Sequence, residues 1–191
     1  MKTFFFDSIH NTQEFALEEQ NNEPVLVISF HQEKGKGTSN RSWLNADQSL
    51  ACSFAFNKVD NQLDETLIPL LAGLCFTEVL SEAPIFLKWP NDLIVDDLKV
   101  GGVLVERVEE KICIGIGVNY FWKSPEVPNA GALFTEAQEE DLIKNHAIKW
   151  AEKVYESMTK NSFSLERYKA CLLYTSPSPR DMRRSRMPSS A

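Results

Sequence analysis

The sequence predicts an α+β domain built on a mostly antiparallel mixed sheet with helices on one face. Short apolar runs, rich in β-branched residues and bounded by turn residues, are typical of strands, and several neighbouring runs are joined by short turns. Longer segments with apolar residues every three or four positions predict helices. The chain of 191 residues has the length of a single domain.

Seven segments carry the strand pattern and four carry the helix pattern. The predicted strands cover residues 3–6, 25–30, 49–56, 85–88, 93–95, 98–106 and 111–118. The predicted helices cover residues 12–20 and 138–160, and two more begin near Leu67 and Ser164. Along the longest helix, helical spacing predicts a core-facing stripe of Leu142, Ile143, Ala147, Trp150 and Val154.

Composition and charge restrict the classes of function. The formal net charge of −7 argues against non-specific binding to nucleic acid. No apolar run approaches the roughly 20 residues that a membrane span requires. The four cysteines form no Cys-x-x-Cys pair, so reduced thiols and a cytoplasmic location are expected. The three histidines are isolated and show no metal-binding spacing. We therefore expect neither a nucleic-acid nor a membrane partner.

The most informative segment places polar residues on a turn between apolar runs. It reads Lys-Trp-Pro-Asn-Asp at residues 88–92 and Lys-Val-Gly-Gly-Val-Leu at residues 99–104. Because proline lacks a backbone donor, the first part cannot continue a central strand. Turns beside a rigid sheet often present functional side chains. A plain hairpin with a polar turn is the alternative explanation.

Two glycine patterns indicate the close approach of a ligand. The loop at residues 32–43 combines glycines with lysines between two predicted strands, and such backbone amides and cations suit an anion. Residues 111–119 alternate, so that Gly115, Gly117 and Asn119 share one face of the predicted strand. Glycine within a strand often marks a nearby ligand, although tight packing against a helix is the alternative.

Taken in order, these segments resemble the signature motifs of biotin–protein ligases from about residue 4 to residue 168. The resemblance covers the Lys-Trp-Pro-Asn-Asp, Lys-x-x-Gly-x-Leu and Gly-x-Gly-x-Asn motifs and a glycine loop that ends in Arg-x-Trp. In that loop, Lys36 and Thr38 stand where the family has arginine. Residues 11–13 occupy the place of the family's Ser-Thr-Asn, although Asn11 also fits a helix N-cap. The implied fold is the catalytic domain that these ligases share with class II aminoacyl-tRNA synthetases.

The resemblance implies ATP-dependent activation of biotin to biotinyl-5′-AMP, with Mg²⁺ arriving with ATP. Biotin would then pass to a lysine of a biotin carboxyl carrier protein or domain. The implied catalytic residues are Lys99, Asp92 and Lys36, and Asp92 is also a candidate Mg²⁺ ligand. The implied biotin-binding residues are Asn11, Thr12, Gln13, Gln32, Lys36, Gly37, Thr38, Lys99, Gly102 and Gly115. The implied ATP-binding residues are Gly35, Arg41, Trp43, Asn91 and Asn119.

The composition changes abruptly near the C-terminus. We predict a catalytic domain in residues 1–170 and a non-native, disordered tail in residues 171–191, where the family has an SH3-like domain. Arginine and the Ser-Pro repeat crowd into this tail, and a genuine disordered basic tail is the alternative. The family's optional N-terminal helix-turn-helix is not expected, and neither is a role as a DNA-bound repressor.

Two other functions compete with biotin ligation. A lipoate–protein ligase shares the fold and the adenylation chemistry, but its motif ends in Lys-x-x-Gly-x-Ala, whereas this chain has leucine at residue 104. A non-catalytic binder of biotin or nucleotide is the second alternative, because Lys36 and Thr38 depart from the family pattern.

Overall fold

A computed structural model describes residues 1–38, 41–59, 63–125, 127–160 and 162–172 and contains one mixed sheet with helices. Its strands are β1 (Lys2–Ile9), β2 (Val25–Gln32), β3 (Gln48–Asn57), β4 (Phe86–Lys88), β5 (Asp92–Val95), β6 (Leu98–Val108) and β7 (Lys111–Phe121). Its α-helices are α1 (Thr12–Glu19), α2 (Ile68–Val79), α3 (Glu140–Thr159) and α4 (Leu165–Cys171). The tail predicted at residues 171–191 lies outside the described residues from position 173 onward and stays a prediction.

The seven strands form a single sheet in the order β1-β2-β3-β7-β6-β5-β4. Strands β1 and β2 are parallel, and every other neighbouring pair is antiparallel. The α+β class and the mostly antiparallel mixed sheet are therefore confirmed. The parallel pair arises because helix α1 carries the chain back between β1 and β2, as a crossover must.

Helices α2 and α3 cover one face of the sheet. The central strand, β7, contributes every second residue to this core: Ile112, Ile114, Ile116, Val118 and Tyr120. Trp150 of α3 is fully buried, and its indole Nε1 donates a hydrogen bond to the carbonyl of Ala72 in α2 at 2.9 Å. This bond joins the two helices above the sheet and satisfies a polar group that burial would otherwise leave unpaired.

Helix α1 packs on the opposite face, so the prediction that all helices share one face is wrong for this element. Its Phe15 contacts the rings of Phe4 and Phe6 edge-on, with centroids 5.2 Å and 5.0 Å apart. Beneath them lie Val25 and Val27, which alternate along β2 with residues of the larger core. The physical reason is that β2 is apolar on both faces and therefore needs a cover on each.

The long predicted helix at residues 138–160 forms as α3, but one of its predicted core residues does not face inward. Leu142 is 41% exposed, whereas His146, one turn later, is buried and takes a place in the core. The ring nitrogen Nδ1 of His146 lies 3.0 Å from the hydroxyl of Tyr120. A polar pair has therefore replaced the expected leucine in the stripe.

A two-residue turn positions the residues of the central motif. Asp96 and Asp97 join β5 to β6 with positive φ angles of 49° and 62°, which favours the tight hairpins typical of antiparallel strands. Pairing then places Asp92 opposite Gly102 and Ile94 opposite Lys99. Within the described part of the chain, no helix is both long and apolar enough to cross a membrane.

We predict that His146 makes the stability of the fold sensitive to acid. Burial lowers its pKa, so the unfolded chain takes up a proton at a higher pH than the folded chain. This contribution to stability is complete above the unfolded pKa of about 6.5 and is lost as the pH falls toward the folded value. Urea unfolding at pH 7.5 and 5.5 should show a smaller acid-induced loss for His146→Gln than for the parent. His31→Gln, at an exposed histidine, is the control and should behave like the parent.

Candidate functional site

Two adjoining pockets lie on the α1 side of the sheet, beside the glycine face of β7. The first lies between the start of α1, the loop after β2 and strands β6 and β7. The second extends from the same loop toward the segment that follows β7. The two pockets share Gly37, Thr38, Trp43 and Lys99. A ligand that filled both pockets would therefore be contacted by these residues along its middle.

An uncharged hydrogen-bonding cluster forms the floor of the first pocket. The side-chain oxygen Oε1 of Gln32 accepts from the backbone N–H of Thr12 at 2.8 Å and from its hydroxyl at 2.9 Å. The Thr12 hydroxyl also lies 2.8 Å from the hydroxyl of Ser53, and both residues are buried. Asn45 fixes the Gln32 backbone through two hydrogen bonds, at 3.2 Å and 2.8 Å. The floor is thus preorganised and neutral.

Glycine at two positions of β7 makes room for side chains that line the pockets. A Cβ on Gly115 would lie 2.8 Å from Oε1 of Gln13, so the Gln13 amide can cross the strand only because residue 115 is glycine. A Cβ on Gly117 would lie 3.1 Å from the Trp43 ring. The alternating glycine face predicted from sequence is therefore occupied by the side chains of Gln13 and Trp43, and the pockets form around them.

The described residues on the two sides of the glycine loop, 35–38 and 41–43, pair as a small hairpin over the pockets. Lys36 pairs with Ser42 as an isolated antiparallel bridge, and the N–H of Gly37 donates to the carbonyl of Arg41 at 2.7 Å. The N–H of Trp43 donates to the carbonyl of Gly35 at 2.9 Å. These bonds hold the Trp43 ring against the sheet.

Lys36 of this hairpin lines the first pocket and forms an ion pair with a residue that does not line it. Its Nζ lies 2.6 Å from Oε1 of Glu14 in helix α1. The hydrogen bond between them lowers the pKa of the Glu14 carboxyl and raises the pKa of Lys36. Both groups are close to half exposed, so solvent screens the pair and its contribution to stability is small. An anionic ligand could therefore compete for Lys36 at low cost.

Lys99 stands between the two pockets. Its Nζ lies 2.5 Å from Oδ1 of Asp92 and 6.0 Å from the centroid of the Trp43 ring. The backbone of Lys99 is held by a donor bond to the carbonyl of Asn129 at 2.7 Å and an acceptor bond from Gly131 at 2.9 Å. A fixed backbone and a carboxylate partner together keep this cation where both pockets meet.

The second pocket contains a buried acceptor without a partner. Asn119 donates through Nδ2 to the carbonyl of Gly131 at 2.9 Å. Its Oδ1 is buried and finds no hydrogen-bond partner within the described part of the chain. Asn119 lines the pocket, and an unpaired buried acceptor is costly unless a ligand supplies a donor.

The structure brings most of the predicted site residues together. Those that line the first pocket are Thr12, Gln13, Gln32, Lys36, Gly37, Thr38, Trp43, Asn91, Lys99, Gly102 and Gly115. Those that line the second are Gly37, Thr38, Arg41, Trp43, Lys99 and Asn119. Asn91, predicted for ATP, thus lies in the first pocket, where its Nδ2 donates to the carbonyl of Val103 at 2.7 Å.

Three predicted residues act beside the pockets instead of lining them. Asn11 caps helix α1, because its Oδ1 accepts from the N–H groups of Gln13 at 2.9 Å and Glu14 at 3.1 Å. Gly35 supports Trp43, whose Cβ would lie 3.0 Å from any Cβ at residue 35. Asp92 is engaged by Lys99, and among the described residues no cluster of three metal-ligating side chains forms. Magnesium binding by Asp92 stays a prediction.

Sequence reasoning left several pocket-lining residues unassigned, and Ser53, Gly117 and Trp122 are among them. Ser53 lies in an apolar run, where nothing marks its hydroxyl as part of the pocket floor. Gly117 was placed on the correct face but not assigned to the site, although its alternation with Gly115 was a usable signal. Trp122 lines the second pocket just beyond β7, and only its position after the glycine strand could have indicated it.

The fold that carries these two pockets matches a known family of ligases. A model of the biotin/lipoate A/B protein ligase family matches residues 5–119. The match covers more than half of the chain, and the chain belongs to this family.

Individual relatives agree with this assignment. The chain is 28% identical to the bifunctional ligase/repressor BirA of Bacillus subtilis over 137 residues, which is 65% of this chain and 42% of that protein. It is 31% identical to the biotin–[acetyl-CoA-carboxylase] ligase of Mycobacterium tuberculosis over 120 residues, 57% of this chain and 44% of that protein. The chain thus spans less than half the length of these relatives.

A solved structure matches both in sequence and in fold. The biotin protein ligase of Aquifex aeolicus, solved in complex with biotin and ATP, is 28% identical with a TM-score of 0.73. The alignment covers 91% of this chain and 79% of that one. The predicted ligase-like catalytic domain is therefore confirmed as the fold.

We predict that alanine lowers the free energy of unfolding at one of two adjacent glycines of β6 and leaves it nearly unchanged at the other. A Cβ on Gly101 would lie 2.7 Å from the carbonyl oxygen of Gly117 and 2.8 Å from Leu93. Gly101→Ala should therefore cost about 1–3 kcal/mol of unfolding free energy. A Cβ on Gly102 meets nothing closer than 3.6 Å, so Gly102→Ala should stay within about 0.5 kcal/mol of the parent. Denaturant unfolding of both variants measures the difference, and equal losses would contradict the packing described for Gly101.

Proposed function

We propose that this chain activates biotin with ATP and transfers it to a lysine of a biotin carboxyl carrier protein. The first pocket would hold biotin and the second would hold the adenosine part of ATP. The observation that carries the proposal is Lys99, which lines both pockets and stands where they meet. The cytoplasm is the proposed location, because carrier domains and reduced thiols are expected there.

The chemistry explains why a lysine belongs at this position. In the first step, an oxygen of the biotin carboxylate attacks the α-phosphorus of ATP, and pyrophosphate leaves as the bond to the β-phosphate oxygen breaks. Two anions must meet, and charge on the phosphoryl oxygens must be stabilised in the transition state. The Lys99 ammonium, oriented by Asp92, supplies that charge at the junction. Lys36 and the Gly37 backbone are proposed to close over the phosphate from the hairpin.

The second step uses the same junction. The uncharged ε-amine of the carrier lysine attacks the acyl carbon of biotinyl-5′-AMP and forms the amide C–N bond. The C–O bond to phosphate breaks, AMP leaves, and the amine gives up a proton. Asp92 lies at the junction and is proposed to orient the incoming amine once Lys99 turns toward the phosphate.

The floor of the first pocket favours a cyclic urea over a disulfide ring. The hydroxyls of Thr12 and Ser53 and the amides of Gln13 and Gln32 offer both donors and acceptors. The ureido ring of biotin has two N–H donors and one carbonyl and can satisfy such groups. The dithiolane ring of lipoate carries no N–H donor or carbonyl acceptor, so it would gain no hydrogen bonds from this floor. Lipoate ligation is therefore the weaker candidate.

The second pocket suits an adenine ring. Trp43 and Trp122 line it with aromatic surface, and Arg41 adds a positive charge at its edge. The unpaired Oδ1 of Asn119 is proposed to accept a hydrogen bond from the 6-amino group of the base. Gly35 would contribute indirectly by supporting Trp43.

Magnesium is proposed to arrive bound to the phosphates of ATP. Within the described residues, Asp92 is the carboxylate at the junction, and no three-ligand protein cluster surrounds it. One carboxylate plus substrate phosphates is a common way for proteins to hold this ion. The ion would offset phosphate charge, while Lys99 acts at the carboxylate and the α-phosphate.

The direct experiment measures ATP-dependent transfer of biotin to an unbiotinylated carrier domain, with lipoate as the competing acid. In this assay, Lys99→Ala should reduce pyrophosphate release by about 10²–10³, because it removes a charge used mainly in the transition state. Lys153→Ala is the matched control, since Lys153 is also ion-paired and has a similar side-chain exposure, 38% against 41%. A Lys99→Ala rate within about threefold of the control would exclude the assigned role. No transfer by the parent chain would favour the non-catalytic binder.

We predict that Asn119 selects the base. The parent should use ATP better than purine riboside triphosphate, which lacks the 6-amino group, by about tenfold in kcat/KM. Asn119→Ala should weaken ATP use and largely abolish that preference, because the acceptor is gone. Steady-state kinetics with both nucleotides gives the ratio for each protein. A preference that survives in the variant would show that Oδ1 does not contact the base.

A further inference from the structure

Large aromatic side chains are exposed at the β4 edge of the sheet. Trp89 is 72% exposed and Phe86 is 42% exposed, although both belong to an otherwise well-packed domain. Lys88, the last residue of β4, is exposed as well. An exposed tryptophan three positions from a second exposed aromatic residue is unusual for a surface without a partner.

This aromatic edge, made of Phe86, Lys88 and Trp89, adjoins the junction of the two pockets. Lys88 lies opposite Asp92 in the β4–β5 pair, so both side chains stand on the same face of the sheet. Phe86 shares that face because strand side chains have period two. Asp92 contacts Lys99. The turn that contains Trp89 continues directly into Asn91, which lines the first pocket. The exposed surface is thus continuous with the proposed reaction centre.

We propose that this aromatic edge is the docking surface for the protein that accepts biotin. The proposal rests on the proposed function, since it concerns the second step of that reaction. The occupant is a folded domain that presents its acceptor lysine on an exposed turn. Trp89 and Phe86 anchor it, and Lys88 favours an acidic rim on the partner.

The position of the edge argues for this occupant. An acceptor amine must reach the acyl carbon beside Lys99 and Asp92, and a domain that presents it must rest on the protein surface next to that point. The aromatic edge borders the junction on the side of Asp92. Tryptophan is one of the residue types enriched among side chains that dominate protein–protein binding energy. A second copy of this chain is the competing occupant, and the experiment separates it from the carrier.

The test uses variants at the two edges of the same sheet. Trp89→Ala and Phe86→Ala remove the anchors, and Trp89→Phe keeps an aromatic ring. Phe5→Ala is the matched control, because Phe5 is 49% exposed on β1, the opposite edge strand. Each protein is assayed for biotin transfer to an unbiotinylated carrier domain and to hydroxylamine, which needs no docking surface. Calorimetry measures binding of the carrier domain without catalysis, and sedimentation gives the oligomeric state.

The proposal expects a defect that is confined to the carrier. Trp89→Ala should raise both the KM and the Kd for the carrier domain by about tenfold or more. Phe86→Ala should have an intermediate effect, and Trp89→Phe should stay close to the parent. Transfer to hydroxylamine should be unchanged in all variants, and Phe5→Ala should match the parent throughout. Carrier KM and Kd that stay unchanged in Trp89→Ala would overturn the proposal, and so would equal losses with both acceptors. Loss of a dimer with unchanged carrier binding would assign the edge to a second copy. Transfer to hydroxylamine produces biotinyl hydroxamate. If the parent forms none of this product, the proposed function is wrong, and calorimetry with the carrier domain still tests the docking surface.

Discussion

The arrangement of the domain depends on strand β7, which is buried on both faces and whose two faces differ in kind. Its isoleucines pack in one core with the buried side chains of α2 and α3. This packing fixes the position and register of the strand within the sheet. Its glycines face the other way and let Gln13 and Trp43 lie against the backbone. Because side chains alternate strictly along a strand, a shift of one residue would exchange the two faces. The core of the fold and the shape of the pockets are therefore set by the same register.

Much of the fold and most of the pocket lining could be predicted because the signals are local. Alternation along residues 111–118 and the polar turn before Asp92 are visible in short windows, and neither depends on distant parts of the chain. The glycine loop could also be predicted as part of the site, since its residues lie in register with a known motif. In the structure its described residues pair as one hairpin. The roles of these residues in catalysis remain proposals that rest on their positions around Lys99.

The features that sequence could not supply arise from long-range pairing. The face taken by α1 follows from the parallel pairing of β1 with β2, which no local pattern encodes. His146 faces the core where Leu142 was expected to do so, because Tyr120 on β7 offers a buried hydroxyl to the histidine ring. Asn11 fitted two roles equally well from sequence, and the structure uses it as the helix cap. For α1 and His146 a partner distant in the chain decides the outcome, whereas the partners that Asn11 caps are local.

The wall shared by the two pockets has a thermodynamic consequence. Gly37, Thr38, Trp43 and Lys99 contact both spaces, so a ligand in either one restricts the same hairpin and the same cation. Any free energy that the first ligand spends on ordering that wall would not be spent again by the second ligand. Linkage requires the effect to be reciprocal: the factor by which one ligand raises the affinity for the other is the same in both directions. With the proposed ligands in both pockets, cooperativity between them would act through a wall of four residues, without any movement of the sheet that carries them.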